Sequence, residues 1–173
     1  MAGTTTNNGW TYPTSTDLVT NGASAIQTLA TGIDTSTGKG LLAWQSYACT
    51  LSGGWANGNG TMVSYYNQMG KTVNVRVSFV IGSTTTKGTG LNISLPVNAQ
   101  SAIIQNNQGI VQMTAAGTAT YVGSLVYSSS GAVTVNVWNA SGTYVQRNGI
   151  TATVPATWAT GDAITLAFSY EAA

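Results

Sequence analysis

Short runs of alternating apolar and polar residues dominate the sequence beyond Gly38, and they limit the fold more than any other feature. In residues 73–81 every second residue is apolar. Because successive side chains of a β-strand point to opposite faces, these apolar residues share one face, which we expect to lie in the core. Gly70 and Lys71 separate this run from an apolar segment at 61–66, so the two runs are predicted to form a hairpin.

Further strand candidates follow the same pattern, separated by turns rich in Gly, Asn, Ser and Thr. The sequence offers no crossover helices between them, which excludes a parallel α/β core. We therefore predict a mainly β fold, an antiparallel jelly-roll-like β-sandwich preceded by an N-terminal arm and one amphipathic helix. An immunoglobulin-like sandwich is the alternative, but its Cys-Trp-Cys signature is missing. The further candidates are residues 41–48, 91–95, 109–113, 120–127, 132–138, 143–145, 150–154 and 163–170.

Residues 18–33 carry the one convincing helix pattern. Thr16 or Asp17 is expected to cap its start, and the Gly-containing segment after Asp34 is expected to end it. Such a helix is roughly 25 Å long and marginal alone in water, so its own β domain or another chain must cover it. We predict an arm-and-helix segment at 1–37 and a β head at 38–173. The apolar positions form two adjacent rows, Val19, Ala23, Ile26, Ala30 and Ile33 beside Leu18, Gly22, Ala25 and Leu29.

Charged residues make up 5% of the chain, against roughly a quarter in average soluble proteins. Five cations and a net charge of +1 cannot form the basic surface that nucleic acid requires. No window reaches the roughly 18 apolar residues of a membrane helix, and the N-terminus lacks a signal-peptide pattern. Nucleic-acid binding, membrane insertion and classical export are therefore not expected. The single cysteine, Cys49, is expected to be a buried small side chain on a strand.

Catalytic chemistry is scarce in this sequence. The chain has no histidine, which removes the commonest general base and metal ligand. Asp162 and Glu171 could form a glycosidase pair, but a turn and a solvated terminus are simpler roles for them. The Gly-rich stretch 53–60 lacks the Lys-Ser/Thr ending of a phosphate-binding loop. We predict that the protein is not an enzyme and has no catalytic, metal-binding or cofactor-binding residues and no cofactor.

Aromatic side chains are the remaining candidates for surface chemistry, because they suit interfaces and stacking on sugars. Most of the five Trp and eight Tyr residues are expected in the core. Trp55 lies in a Gly/Asn loop, and Tyr144 follows Ser141 and Gly142, so both are candidates for exposure. Trp138 opposes the valine face of its strand and should meet solvent or another subunit. These three are the candidate contacts with a glycan or a partner.

Two segments resemble short structural proteins of tailed bacteriophages, especially those of actinobacterial hosts. Residues 9–30, which include Gly-Trp-Thr-Tyr-Pro, are similar to an N-terminal module of virion-surface proteins. Residues 42–83, with Leu-Ala-Trp-Gln-Ser-Tyr and Tyr-Tyr-Asn-Gln-Met-Gly-Lys-Thr-Val, resemble phage β-sandwich head domains. The resemblance implies a homotrimer whose N-terminal segments dock on the particle. The implied docking and oligomerisation residues are Trp10, Tyr12, Pro13, Leu18, Val19, Ile26, Leu29 and Ile33.

The sequence contains no shaft between arm and head, unlike long tail-fibre proteins. This favours a capsid decoration or head-fibre protein on the virion surface, assembled in the host cytoplasm. The alternative is a minor tail or tail-tip protein that recognises glycans of the host surface. The implied partners are other copies of this chain, major capsid or tail proteins of the phage, and a host cell-surface glycan.

Overall fold

The computed structural model describes residues 3–6, 9–16, 18–40, 43–100 and 106–173. The chain divides into two compact units, Met1–Ala43 and Trp44–Ala173, which we call the N-terminal unit and the head. The predicted boundary after residue 37 falls within the helix of the N-terminal unit.

The N-terminal unit consists of a small hairpin and a helix. Strands β1 (Gly3–Thr4) and β2 (Thr11–Tyr12) pair antiparallel. Three hydrogen bonds close the loop between them. The Thr5 N–H donates to the Trp10 carbonyl and the Trp10 N–H donates to the Thr5 hydroxyl, each at 2.9 Å, and the Gly9 N–H donates to the Thr5 carbonyl at 3.0 Å. The Trp10 ring lies against the helix, since a Cβ at Gly32 would be 3.6 Å from its Cδ1 atom. A Cβ at that distance would make an ordinary van der Waals contact, so the indole packs on the helix surface at Gly32.

The helix begins and ends differently from the prediction. A 3-10 turn, Val19–Asn21, leads into α1 (Gly22–Gly40). Leu18 occupies the N-cap position without a side-chain hydrogen bond, so Thr16 does not cap the helix, and Asp17 lies outside the described residues. The helix continues through Gly38 instead of ending after Asp34. A glycine costs a helix only about 1 kcal/mol and does not block its backbone hydrogen bonds, so it need not end one.

The head is an antiparallel sheet, which confirms the predicted mainly β fold. Its strands are β3 (Gln45–Ser46), β4 (Leu51–Ser52), β5 (Thr61–Met69), β6 (Thr72–Val80), β7 (Asn92–Ser94), β8 (Asn106–Ala115), β9 (Ala119–Ser129), β10 (Ala132–Asn139), β11 (Gln146–Gly149) and β12 (Ala163–Glu171). Their order in the sheet is β3-β5-β6-β12-β8-β9-β10-β7-β4, with β11 paired to β10.

One short segment joins the two ends of this strand order. β3 pairs with β5 and β4 pairs with β7, yet only four residues separate β3 from β4 along the chain. Between them, the Tyr47 N–H donates to the Ser64 carbonyl and the Tyr47 hydroxyl donates to the Ser94 carbonyl, both at 3.3 Å. The sheet thus curls until a single segment bonds to both of its ends, which covers strand edges that would otherwise be open to pairing.

The predicted hairpin is present. β5 and β6 pair from Thr61↔Val80 to Met69↔Thr72, and Gly70 and Lys71 form the turn. Gly70 has a φ of 58°, the left-handed conformation that two-residue hairpin turns need. The alternating apolar residues of β6 are buried as expected, and they form the core with matching residues of β8, β10 and β12.

Two predicted strands are wrong. Residues 143–145 lie in an exposed bend, and the strand β11 follows them at Gln146–Gly149. Residues 151–154 form a turn closed by a bridge between Thr151 and Val154, although Ile150 is fully buried. β11 is polar, so its strand conformation comes from pairing with β10 and not from an alternating pattern.

The predicted strand at 41–48 is short. Residues 41–42 lie outside the described residues, and the strand itself covers only Gln45–Ser46. Cys49 lies beyond it, between β3 and β4, and is partly buried. Burial raises the pKa of the Cys49 thiol, which keeps it in the less reactive protonated form. The expectation of a strand position for Cys49 is therefore wrong.

Candidate functional site

The apolar positions of α1 and of the 3-10 turn before it separate into a covered row and an exposed row. Leu29 is half-buried, together with Gly22, Ala25 and Gly32 on the side where Trp10 packs. Val19 is 96% exposed and Ile26 is 61% exposed. The hairpin thus covers one side of the helix, while the adjacent side presents aliphatic side chains to solvent.

The remaining predicted docking residues are spread over the N-terminal unit. Leu18 is 70% exposed, Tyr12 and Ile33 are less exposed, and Trp10 and Pro13 are half-buried. Trp10 therefore stabilises the unit itself, whereas Leu18, Val19 and Ile26 are the predicted residues most available to another chain.

The exposed row has the spacing of a coiled-coil seam. Val19, Ala23, Ile26 and Ala30 follow each other at intervals of four, three and four residues, and all four are exposed. This spacing corresponds to the a and d positions of a heptad, which lie on one side of a helix. We call these four residues the heptad stripe.

Asp162 has a structural role. It is 3% exposed, and its carboxylate accepts hydrogen bonds from the Ala116 N–H at 2.8 Å and the Ala159 N–H at 2.7 Å. Glu171 is the last residue of β12, which begins directly after Asp162. At about 3.4 Å per residue the two carboxyl groups lie roughly 30 Å apart along the strand, whereas a glycosidase pair needs about 5–10 Å. The two residues cannot act together.

Trp55 does not form a surface site. It is 3% exposed and packs edge-on against Trp158, with the ring centroids 6.3 Å apart. The loop that carries it is tightly packed, because a Cβ at Gly53 would come 1.6 Å from the Gly90 carbonyl oxygen. A Gly-rich stretch that looked like an exposed turn thus folds onto the core.

Trp138 and Tyr144 are on the surface, with exposures of 44% and 79%. Trp138 pairs across β10 and β11 with Arg147, on the side of the sheet opposite the buried valines. A cavity of about 330 Å³ lies near it, with Tyr121, Asn139 and Asn148 among its lining residues. Tyr144 does not line this cavity, so the structure does not bring the three predicted aromatic contacts together.

A different set of residues forms a groove on the outer face of the head. Three neighbouring cavities of about 590, 340 and 220 Å³ are each lined by Ala167 of the central strand β12. Ala167 pairs with Arg76 of β6 on one side and with Ile110 of β8 on the other, and Arg76 pairs with Tyr65 of β5. All four residues are exposed, and the alanine is the low point between larger side chains. We call this depression the outer groove.

The wall of the outer groove on the β6 side is aromatic and cationic. The Arg76 guanidinium lies over the Trp44 ring, 4.5 Å from its centroid, which is the geometry of a cation–π contact. Beside it, the Ser169 hydroxyl donates to the Asn74 side-chain oxygen at 2.7 Å, and the Asn74 amide donates to Asn67 at 2.9 Å. Polar groups thus line the groove below the aromatic wall.

Sequence reasoning missed Trp44, Tyr65 and Arg76 as candidates for a site. The alternation of β6 does place Arg76 on the solvent face, so its exposure could have been predicted. Its neighbours could not, because Ala167 and Ile110 become adjacent to it only through the pairing of β12 with β6 and β8.

No three His, Cys, Asp or Glu side chains are grouped to hold a metal ion in the part of the chain that the structure describes. The described helices also include none with the length and apolar character needed to cross a membrane.

The chain matches no protein-family model and no curated protein sequence. Among solved structures it is similar to avian reovirus sigmaC117-326 in its C2 crystal form, with a TM-score of 0.41 and 13% sequence identity. The similarity covers 75% of this chain and 61% of that one, so the chain spans about three fifths of the length of the solved structure.

Proposed function

We propose that this chain is a non-enzymatic structural protein of a tailed-bacteriophage virion. It forms a homotrimer through its N-terminal unit, docks on the particle there, and projects its head outward as a capsid decoration or head-fibre protein. The observation that carries the proposal is the exposure of the heptad stripe, which begins at Val19 in the 3-10 turn and continues through Ala23, Ile26 and Ala30 of α1.

The heptad stripe has the pattern by which copies of one helix associate. Residues repeated every 3.5 positions face a partner continuously only when the helices wind around each other. Val19 and Ile26 are aliphatic, and the alanines that alternate with them, Ala23 and Ala30, permit close approach of a second helix. Full burial of a Val or Ile side chain contributes about 1.5–3 kcal/mol, and a trimer repeats each contribution three times. Association therefore stabilises a helix of marginal stability.

The choice of three copies and of a phage particle comes from the resemblance at residues 9–30 and 42–83. The head is consistent with a structural role, since Asp162 holds a turn and lies far from Glu171. A surface poor in charge also makes contacts less sensitive to salt, which suits a particle outside the cell. A minor tail or tail-tip protein is the alternative location.

The assembly is tested on the full chain by native mass spectrometry and sedimentation equilibrium. We expect a trimer for the wild type and a shift to monomer for Ile26→Ser, because the hydroxyl replaces the aliphatic group at the centre of the stripe. Gln27→Ser is the matched control, being the next exposed residue on the helix and outside the stripe. A monomeric wild type, or a trimer that Ile26→Ser leaves unchanged, contradicts the proposal.

The location is tested by electron microscopy of phage particles that carry a labelled copy of this chain. Label distributed over the capsid supports the decoration or head-fibre assignment, and label at the tail tip supports the alternative. Ile26→Ser should reduce incorporation into particles in either case, while Gln27→Ser should not. Particles that incorporate no label from the wild-type chain contradict both locations.

A further inference from the structure

The outer groove is long, shallow and built on a strand whose outward residues are small. Thr165, Ala167 and Ser169 follow each other along β12 and all contribute to its floor. They span about 14 Å at 3.4 Å per residue. Arg76 and Ile110 flank Ala167 from the neighbouring strands, roughly 10 Å apart at two strand spacings. These dimensions fit a narrow, elongated ligand.

The lining of the groove favours a ligand that is partly apolar, rich in hydroxyl groups and negatively charged. Trp44 and Tyr65 are 38% and 44% exposed and provide aromatic surface. Ser169 and Asn74 provide hydrogen-bonding groups at the floor. Arg76 is the one cation among the described lining residues, which include no carboxylate. The Trp44 ring holds the guanidinium in place, so less side-chain entropy is lost when it binds an anion.

We propose that the outer groove binds an acidic oligosaccharide, with the sugar rings against Trp44 and Tyr65 and a carboxylate of the glycan paired with Arg76. This goes beyond the proposed function, because it gives the head a ligand class and a site that do not depend on how the N-terminal unit assembles. A bidentate Arg–carboxylate pair supplies both charge and orientation. The Tyr65 ring, and the part of the Trp44 ring that Arg76 leaves exposed, offer apolar surface for the C–H side of a pyranose.

An extended peptide suits the groove less well. A peptide that binds to a sheet gains affinity by pairing its main chain with an open strand edge. From Ala163 to Phe168 the floor strand β12 has no open edge, because it pairs there with β6 on one side and with β8 on the other. Side chains alone are therefore available to a ligand here.

The test is binding of the full chain to a panel of oligosaccharides that contain uronic or sialic acids, at up to millimolar concentration, by calorimetry or NMR titration. Each acidic sugar is paired with its carboxyl methyl ester. We expect the acid to bind at least about tenfold more tightly than the ester, the usual size of a charge-assisted contact. Arg76→Gln should lower affinity for the acid by a similar factor and abolish the difference between acid and ester. Trp44→Ala should weaken both forms.

The controls are Arg147→Gln and Lys71→Gln, which each remove an exposed cation that does not line the groove. Both should bind as the wild type does. All variants are at exposed positions, and circular dichroism with a urea titration confirms that each is folded. The proposal is overturned if no acidic sugar in the panel binds, if acid and ester bind equally, or if the control variants lose binding while Arg76→Gln retains it. It is also overturned if an acidic peptide displaces the sugar and binds more tightly, or if Arg76→Gln dissociates the oligomer.

Discussion

Replacement of Asp162 by alanine should destabilise the head substantially. The carboxylate is 3% exposed and connects the turn between β8 and β9 to the start of β12 through the Ala116 and Ala159 N–H groups. Hydrogen bonds to a charged group contribute about 1.5–3 kcal/mol each, so two of them give an upper limit of about 6 kcal/mol. Ala116 and Ala159 lie near solvent, and water can replace part of the loss. We expect a decrease of about 2–4 kcal/mol in the free energy of unfolding.

The assay is urea unfolding of the full chain, followed by tryptophan fluorescence. With a slope of about 2 kcal/mol per M, the midpoint should fall by about 1–2 M for Asp162→Ala. Asp162→Asn retains one carbonyl oxygen as an acceptor and should lose about half as much. Glu171→Gln, at the far end of β12, is the control and should change stability by less than about 0.5 kcal/mol. If Asp162→Ala unfolds at the same urea concentration as the wild type, the structural role assigned to this carboxylate is refuted.

Two further predictions concern the head. The Tyr170 hydroxyl donates to the Val97 carbonyl at 2.6 Å, and burial raises its pKa from 10.0 to about 12. The neutral, buried Tyr170 hydroxyl contributes stability that is complete below pH 10 and is lost as the pH rises to 12. Tyr170→Phe should therefore reduce the fall in the free energy of unfolding between pH 10 and pH 12. If that fall is the same in the variant and the wild type, the role of the Tyr170 hydroxyl is refuted. Gly53→Ala should prevent stable folding, since its Cβ would meet the Gly90 carbonyl oxygen. A Cβ at Gly90 would meet open space, so Gly90→Ala should change the free energy of unfolding by less than about 1 kcal/mol. Thermal unfolding of the two variants tests this, and equal midpoints contradict it.

The proposed roles of the two units can be tested separately. The helix variant Ile26→Ser addresses assembly, and the groove variant Arg76→Gln addresses ligand binding. The head contributes the groove from strands β5, β6, β8 and β12, and all of these lie within Trp44–Ala173. We expect Arg76→Gln to lose sugar binding with the trimer intact, and Ile26→Ser to lose the trimer with sugar binding intact. Failure of one result and not the other identifies which of the two proposals is wrong.

Local patterns predicted the parts of the fold that depend on neighbouring residues in the chain. The hairpin of β5 and β6 was predictable because Gly70 permits the left-handed turn. The alternation of residue types also places Val73, Val75 and Val77 on one face of β6. The same reasoning failed at residues 143–145, which are rich in strand-favouring residue types, and at residues 150–154, where apolar residues alternate, because neither segment forms a strand. A strand requires a partner for its backbone groups, and β10 offers its edge to residues 146–149 instead.

Trp55 shows why burial is harder to predict than strand formation. Its surroundings are Gly and Asn residues, which are typical of an exposed turn. The same glycines allow the loop to approach Gly88 and Gly90 closely, and the indole then packs against Trp158 from a distant part of the chain. The composition of the loop is compatible with both outcomes, and the long-range contact decides between them.

Composition and periodicity were sufficient to predict an antiparallel β head and an amphipathic helix ahead of it, because these depend on residue type and on short repeats along the chain. The tertiary structure decided which row of the helix the hairpin covers and which row remains exposed. It also decided that Asp162 holds a turn, and that Trp44, Arg76 and Ala167 form one groove. The physical reason is that strand order and register bring together residues far apart in sequence, and no local pattern encodes their contact.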